Sequence, residues 1–133
     1  MRWLLDTNIV IAAVKGAPPV RARLEQVLAA DVVLSPIVLG ELQFGAEKSS
    51  YPERNRAKLE KVIEGFPVVA LDFASSRIYG RIRKSLERAG QPIGANDLWI
   101  AAQALALDAT VVTDNTREFE RVPGLCVENW LAP

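Results

Sequence analysis

The sequence predicts an α/β fold, in which a mostly parallel central sheet of four or five strands is covered by helices on both faces. Apolar runs rich in β-branched residues, each too short for a helix, alternate along the chain with longer segments of helical periodicity. This alternation is typical of parallel strands joined by crossover helices. The length of 133 residues suits one domain, so we expect a single domain over 1–133.

Five apolar runs are candidate strands, and the segments between them are candidate helices. The strand candidates are residues 3–5, 32–34, 68–71 and 110–113, with 126–128 as a candidate edge strand. The helix candidates are 9–14, 20–30, 36–48, 52–65, 73–88, 96–107 and 116–121. Capping residues agree with these boundaries. Asp6, Ser35 and Asp72 precede three of the helices, and Gly90 follows the end of the helix 73–88.

The composition excludes several kinds of catalytic site. The sequence has no histidine, which excludes Ser-His-Asp and Cys-His catalysis and zinc sites built on imidazole. Its one cysteine, Cys126, cannot form an internal disulfide, which fits a reducing compartment. Asp6 stands where a secretion signal would need an apolar run, and no run has the length of a membrane span. We therefore expect a cytoplasmic protein that does not enter a membrane.

Two aspartates directly follow candidate strands. Asp6 comes after the first strand and Asp114 after the fourth. Functional groups of parallel sheets gather beyond the carboxyl ends of the strands, so we expect both side chains at that edge. Taken alone, each is more simply explained as a helix cap or a turn residue.

Two further acids interrupt apolar helix faces. Glu41 lies among apolar residues at three- and four-residue spacings within 37–45, and Asp97 does so within 97–104. A first-turn acid favoured by the helix dipole is the alternative explanation for Asp97. Ionised groups rarely lie on such faces unless they are paired or bind a metal.

Four carboxylates in one pocket would need a cation. Each pair at ~4 Å would repel by about 4 kcal/mol at an effective dielectric constant of ~20. Oxygen ligands without histidine or thiolate suit a hard ion such as Mg²⁺ or Mn²⁺. Such an ion can activate water against a phosphodiester, so phosphodiester hydrolysis fits a chain without histidine.

Five short motifs occur along the chain: Leu5-Asp6-Thr7-Asn8, Gly40-Glu41-Leu42 with Gly45 following, Pro92 to Asp97 leading into 98–105, Val112-Thr113-Asp114-Asn115, and Arg117-Glu118-Phe119. In this order and at these intervals, they resemble the PIN-domain nucleases of the VapC toxin type over nearly the whole chain. The resemblance implies a PIN-like three-layer α/β/α sandwich forming a single PIN domain. It also implies metal-dependent endoribonuclease activity, a homodimer, and a cognate antitoxin that lies in a groove over the site.

The resemblance also implies roles for individual residues. By matching position, Asp6 and Asp97 are the principal ligands of Mg²⁺, for which Mn²⁺ is a plausible substitute, while Glu41 and Asp114 complete the acidic pocket directly or through water. Candidates for supporting the ligands or contacting substrate phosphates are Thr7, Asn8, Thr113 and Asn115. Relatives vary between aspartate and asparagine across Asp114 and Asn115, so the fourth acidic position stays open between these two.

Basic residues recur at helical spacing in the candidate helix 73–88, although the sixteen basic and sixteen acidic residues of the chain balance. They are Arg77, Arg81, Lys84 and Arg88. This basic stripe either contacts RNA phosphates or is an ordinary solvated helix face. Within it, Arg81 is the foremost candidate for RNA binding.

Three other interpretations stay open. A phosphohydrolase similar to haloacid dehalogenases also places an aspartate after its first strand, but it needs a second acid where this chain has Asn8. A receiver-type phosphoacceptor domain could use Asp72, but Thr113-Asp114 supplies no lysine after the late strand. The third is a PIN-like scaffold that binds RNA or protein without cutting, against which the four occupied acidic positions argue.

Overall fold

Four parallel strands form the central sheet of the computed structural model, which describes residues 1–132. The strands are β1 (Arg2–Leu5), β2 (Val32–Val33), β3 (Ala109–Val112) and β4 (Val127–Glu128), in the order β2-β1-β3-β4. In the register of the central strand, Leu4 lies opposite Val33 of β2 and Val111 of β3. The parallel sheet predicted from the sequence is confirmed.

Helices connect the strands at the positions that the sequence predicts. Within residues 1–132 they are α1 (Thr7–Val14), α2 (Pro18–Gln26), α3 (Pro36–Glu47), α4 (Pro52–Ile63), α5 (Phe73–Arg88), α6 (Ala95–Leu107) and α7 (Thr116–Phe119). The candidate helix 20–30 is too long, because the chain is extended at Val27 and Leu28 before a single 3₁₀ turn, Ala29–Asp31. In the part of the chain described, no helix combines the length and apolarity needed to cross a membrane.

Both faces of the sheet are buried. All four residues of β3 are buried, and so are Leu4 and Leu5, whose side chains point to opposite faces because they are consecutive in a strand. Ile9, Ile100 and Phe119 pack into these layers from the helices with no exposed surface. Each such side chain contributes roughly 1.5 to 3 kcal/mol by burial. The result is the three-layer α/β/α sandwich that the sequence predicts.

The strand predicted at 68–71 is wrong. This segment makes one isolated parallel bridge, to Leu34 beyond the end of β2, where Val69 N donates to the Leu34 carbonyl at 3.0 Å. The next bond of a parallel ladder would need the N–H of residue 36, which is Pro36 and has none. Instead, Gln103 Nε2 of α6 donates to Val69 O at 2.7 Å. The pairing therefore ends after one bridge.

Candidate active site

Asp6 lies at the carboxyl end of β1, where it caps α1. Its backbone N donates to Val112 O at the end of β3 at 2.9 Å, so the β1–β3 pairing continues into the site. Its side chain is 8% exposed, and each carboxylate oxygen accepts one hydrogen bond. Oδ1 accepts from Thr7 N and Oδ2 from Thr113 Oγ1, both at 2.8 Å. The sheet and the start of α1 thus fix this carboxylate.

Glu41 reaches the same pocket from α3. It is half-buried, and both of its oxygens accept hydrogen bonds at 2.7 Å, Oε2 from Thr7 Oγ1 and Oε1 from Asn96 Nδ2. Thr7 therefore binds Asp6 with its backbone N–H and Glu41 with its hydroxyl. Because the two donors belong to α1 and α6, Glu41 joins three helices at the pocket.

Asp97 lies in the first turn of α6, beside a carboxylate that the sequence analysis did not assign to the site. The Asp97 carboxyl lies close to Glu118 of α7, whose charge acts on it. Glu118 Oε1 accepts from the backbone N of Gly94, the N-cap of α6, and Oε2 accepts from Asn115 Nδ2, both at 2.7 Å. Glu118 therefore anchors the turn that carries Asp97.

Asp114 lies exposed at the rim of the pocket. Its Oδ1 accepts from Asn8 Nδ2 at 3.1 Å, and its charge acts on Asp6. The neighbouring Asn115 uses its side chain on Glu118, while its backbone N donates to Thr113 Oγ1 at 3.0 Å. Of the two candidates for the fourth acidic position, Asp114 is the one that supplies a carboxylate here.

The four acids predicted from the sequence meet at this edge of the sheet. Thr7 donates hydrogen bonds to both Asp6 and Glu41, and Asn8 of α1 donates one to Asp114. The charges of Asp6 and Glu41 act on Asp97. The predicted supporting residues, Thr7, Asn8, Thr113 and Asn115, each donate a side-chain hydrogen bond to a carboxylate of the pocket. In this structure these four side chains therefore hold the carboxylates of the pocket in position.

Burial raises the pKa of the Asp6 carboxyl. The hydrogen bonds from Thr113 and Thr7 oppose this effect, because they stabilise the ionised form. The charges of Glu41 and Asp114 add to it, since a neighbouring anion disfavours ionisation. The net pKa lies above the ordinary value of 3.8.

The pKa of Asp97 is the most strongly raised in the pocket. Burial, followed by the charges of Glu118 and Asp6, raises it from 3.8 to about 7. Burial acts in the same direction on Glu118, but hydrogen bonds from Gly94 N and Asn115 hold the pKa of Glu118 below its ordinary value. Of these two acids, Asp97 is therefore the one that is protonated more readily.

The donor set fits a hard divalent cation. The carboxylates and hydroxyls of the pocket offer oxygen ligands. Burial is the largest cause of the raised pKa of Asp97, and the neighbouring negative charges that add to it are ones that a cation would offset. Among residues 1–132, no three acidic or thiol side chains form a group that could hold a metal ion by themselves. Mg²⁺ is usually held by only one or two carboxylates, together with several waters and substrate phosphates.

Arg81 is not among the residues that contact the acidic pocket. It lies exposed on α5 and lines a groove of about 360 Å³ with Leu105 and Pro123. Leu105 is about 12 Å along the axis of α6 from Asp97. Asp72, the acid that a receiver domain would use, also lies outside the pocket, because it caps α5 by accepting from Ser75 N at 2.9 Å.

Sequence reasoning missed three residues of the site. Glu118 belongs to the Arg117-Glu118-Phe119 motif, but nothing in the sequence shows that its side chain reaches Gly94. Asn96 directly precedes Asp97, but nothing in the sequence shows that its side chain reaches Glu41. Arg121 donates to Pro92 O at 3.0 Å, and its positive charge helps to lower the pKa of Glu118.

The fold and the pocket together define a small α/β protein with a carboxylate site at the carboxyl edge of a parallel sheet. The family model described as PIN domain matches residues 3–125. Ribonuclease VapC2 of Rickettsia felis is 39% identical over 132 residues, with 98% of each chain covered. The tRNA(fMet)-specific endonuclease VapC of Shigella flexneri is 42% identical over 131 residues, again with 98% of each covered. A crystal structure of DNA-bound VapBC from Salmonella typhimurium superposes with a TM-score of 0.92 at 40% identity, covering 98% of both chains. The chain therefore belongs to the PIN domain family, in its VapC branch.

Proposed function

We propose that this chain is a metal-dependent endoribonuclease that hydrolyses RNA phosphodiester bonds, and that it is the toxin of a toxin-antitoxin pair. The observation that carries the proposal is the meeting of Asp6, Glu41, Asp97 and Asp114 at one edge of the sheet. Similar proteins are named as a ribonuclease and as a tRNA(fMet)-specific endonuclease, which supports RNA as the substrate. We also propose that this activity takes place in the cytoplasm, where an RNA substrate of this kind would be met.

Asp6 and Asp97 are the proposed principal ligands of Mg²⁺, for which Mn²⁺ would substitute, and Glu41 and Asp114 complete the set directly or through water. When bound, the ion would lower the pKa of a water molecule and neutralise charge that develops on the phosphate. The oxygen-only donors and the raised pKa of Asp97 support this assignment.

The chain's own contribution is to hold the acids in place before substrate arrives. Thr113 and the Thr7 amide fix Asp6, and the Thr7 hydroxyl fixes Glu41. Asn8 does the same for Asp114. Because these partners already hold the acids in position, the site does not have to reorganise during the reaction. We propose Thr7, Asn8 and Asn115 as contacts for a substrate phosphate and Arg81 as a more distant one, whereas Thr113 is fully buried and acts by holding Asp6.

A cognate antitoxin is the proposed protein partner. A mostly apolar groove of about 460 Å³ runs between α1, α3 and α4 and opens at Thr7 and Glu41. Ile11, Leu42 and Leu59 line it. A segment of the antitoxin lying in this groove would cover the approach to the acids, and the similarity to a solved VapBC complex supports such a partner. We also propose a homodimer, because large apolar side chains such as Phe44 and Phe73 lie exposed.

RNA cleavage by the purified chain tests the proposed function. Initiator tRNA is the first substrate to use, because the relative from Shigella flexneri is named for it. We expect cleavage with Mg²⁺ or Mn²⁺, none with a chelator, and at least about 100-fold slower cleavage by Asp6→Asn, since even outer-shell changes cost 10- to 100-fold.

A matched control is Asp108→Asn, at the other end of α6, where the left-handed backbone accepts asparagine. It is expected to cleave like the unaltered chain. If Asp6→Asn also cleaves at the unaltered rate, the assignment of the site fails. Binding of RNA without any cleavage would indicate instead a PIN-like scaffold.

A further inference from the structure

Glu41 is held by two neutral donors that come from other helices. Asn96 Nδ2 of α6 donates to Oε1 and Thr7 Oγ1 of α1 donates to Oε2, both at 2.7 Å. These bonds are short, as expected when the acceptor is a carboxylate. Neither donor carries a formal charge, so the clamp orients the carboxylate without neutralising it, and each oxygen keeps a lone pair for a cation.

The side chain of Asn96 forms its hydrogen bond outside its own helix. The N-cap of α6 is Gly94, so Asn96 lies inside the first turn and does not cap it. Its side chain is exposed, yet it reaches across 55 positions of sequence to Glu41. A glutamate on a helix surface would otherwise sample several rotamers, and the two donors restrict it to the one that faces the pocket.

The clamp also fixes the distance between two of the proposed metal ligands. Asn96 is the covalent neighbour of Asp97, so its bond to Glu41 ties the first turn of α6 to α3. Thr7 is the neighbour of Asp6 and makes the equivalent connection from α1. Glu41 thereby links the two segments that carry Asp6 and Asp97.

We propose that Asn96 is a positioning residue that acts through Glu41, holding this carboxylate, and with it Asp6 and Asp97, in register for a divalent cation. This inference rests on the proposed function for the role of the cation. It assigns to Asn96 no contact with substrate or metal.

A double-mutant cycle read by Mn²⁺ binding tests the proposal. Calorimetry on the full chain would compare Asn96→Ala in the unaltered and in the Glu41→Ala background. We expect about tenfold weaker Mn²⁺ binding in the first background and less than about twofold in the second, because the partner of Asn96 is then already missing. In RNA cleavage, Asn96→Ala should lower kcat and leave KM nearly unchanged. Equal losses of Mn²⁺ affinity in both backgrounds, or none in the first, would overturn the proposal.

Two further measurements keep the outcome interpretable. Gln26→Ala is the control, because that side chain lies exposed at the end of α2, before the amino end of β2, and it should bind Mn²⁺ normally. Thr7→Ser should retain Mn²⁺ affinity and Thr7→Val should lose it, which tests the same clamp if Asn96→Ala fails to fold. Mn²⁺ binding without RNA cleavage would reject the proposed function and leave the clamp testable, whereas an unaltered chain that binds no Mn²⁺ rejects the clamp.

Discussion

Asp97 is the residue at which the electrostatics of the pocket and the stability of the fold are coupled. Its pKa of about 7 means that the folded chain keeps a proton there which the unfolded chain releases near pH 4. Between these values the folded state binds more protons, so the free energy of unfolding falls as the pH rises. The pKa values of Asp72 and Glu118 are lowered, so both groups are already ionised above pH 5 and do not oppose the trend.

We predict that the metal-free protein loses stability between pH 5 and pH 8. The raised pKa corresponds to an upper bound of roughly 4 kcal/mol, which solvent screening at this half-buried group reduces to about 1 kcal/mol. Asp97→Asn should show a smaller loss, and saturating Mg²⁺ should offset the loss in the unaltered chain. Urea unfolding in chelator at both pH values measures this, and an identical pH dependence in Asp97→Asn would contradict it.

Single residues of the site differ in how far the sequence predicts them. Glu41 and Asp97 were recognisable because a charged group on an apolar helix face is costly unless something binds it. Glu118 and Asn96 were not, because their roles depend on hydrogen bonds across 24 and 55 positions of sequence. Such contacts follow from how the helices pack, which no local pattern encodes.

At the edge of the sheet beyond β2, the start of α3 limits the strand pairing of the segment 68–71. The apolar segment 68–71 has the composition of a strand, but Pro36 removes the backbone donor that a second bridge would need. Gln103 supplies a side-chain donor in its place, while its own Oε1 is buried without a hydrogen-bond partner among residues 1–132. The composition of 68–71 is typical of a buried strand, but none of these residues is buried, and the start of α3 ends the pairing.

Two substitutions of Gln103 should therefore destabilise the fold by different amounts. We expect Gln103→Ala to cost about 3 kcal/mol, from a cavity and from the lost bond to Val69 O. Gln103→Leu should cost less than half of that, because it fills the space and removes the unpartnered oxygen. Urea unfolding measures both, with the exposed Gln26→Ala as control. Equal losses for the two Gln103 variants would count against this account.

The basic stripe on α5 is the element whose function remains a prediction. Arg81→Ala should raise KM for RNA by about three- to tenfold at low salt and by much less at high salt, because a phosphate contact is screened by ions. Arg83→Ala is the matched control on the same helix, since Arg83 Nε already donates to Glu87 at 2.9 Å. A loss for Arg81→Ala that is independent of salt would argue against a phosphate role.

At the scale of the whole molecule, alternating strand and helix patterns were enough to predict the architecture. The buried runs of β1 and β3 fix the centre of the sheet, and helices cover both faces. The same patterns do not predict which surfaces bind a partner. Apolar side chains such as Phe44, Tyr51 and Phe73 lie exposed, and nothing in the strand and helix patterns distinguishes them from buried ones.

We predict that two chains associate in solution. Covering the exposed apolar side chains would favour a dimer at micromolar concentration. Sedimentation equilibrium should then give twice the chain mass of 14.6 kDa. A mass of one chain at tens of micromolar would show that these side chains serve another partner.

Anomalous diffraction from crystals grown with Mn²⁺ tests the central claim most directly, because it locates the ion without reference to activity. We predict a peak within about 2.2 Å of carboxylate oxygens of both Asp6 and Asp97, the distance expected for a hard divalent ion with oxygen ligands. A peak bound elsewhere, or no peak at a Mn²⁺ concentration that supports RNA cleavage, would contradict it.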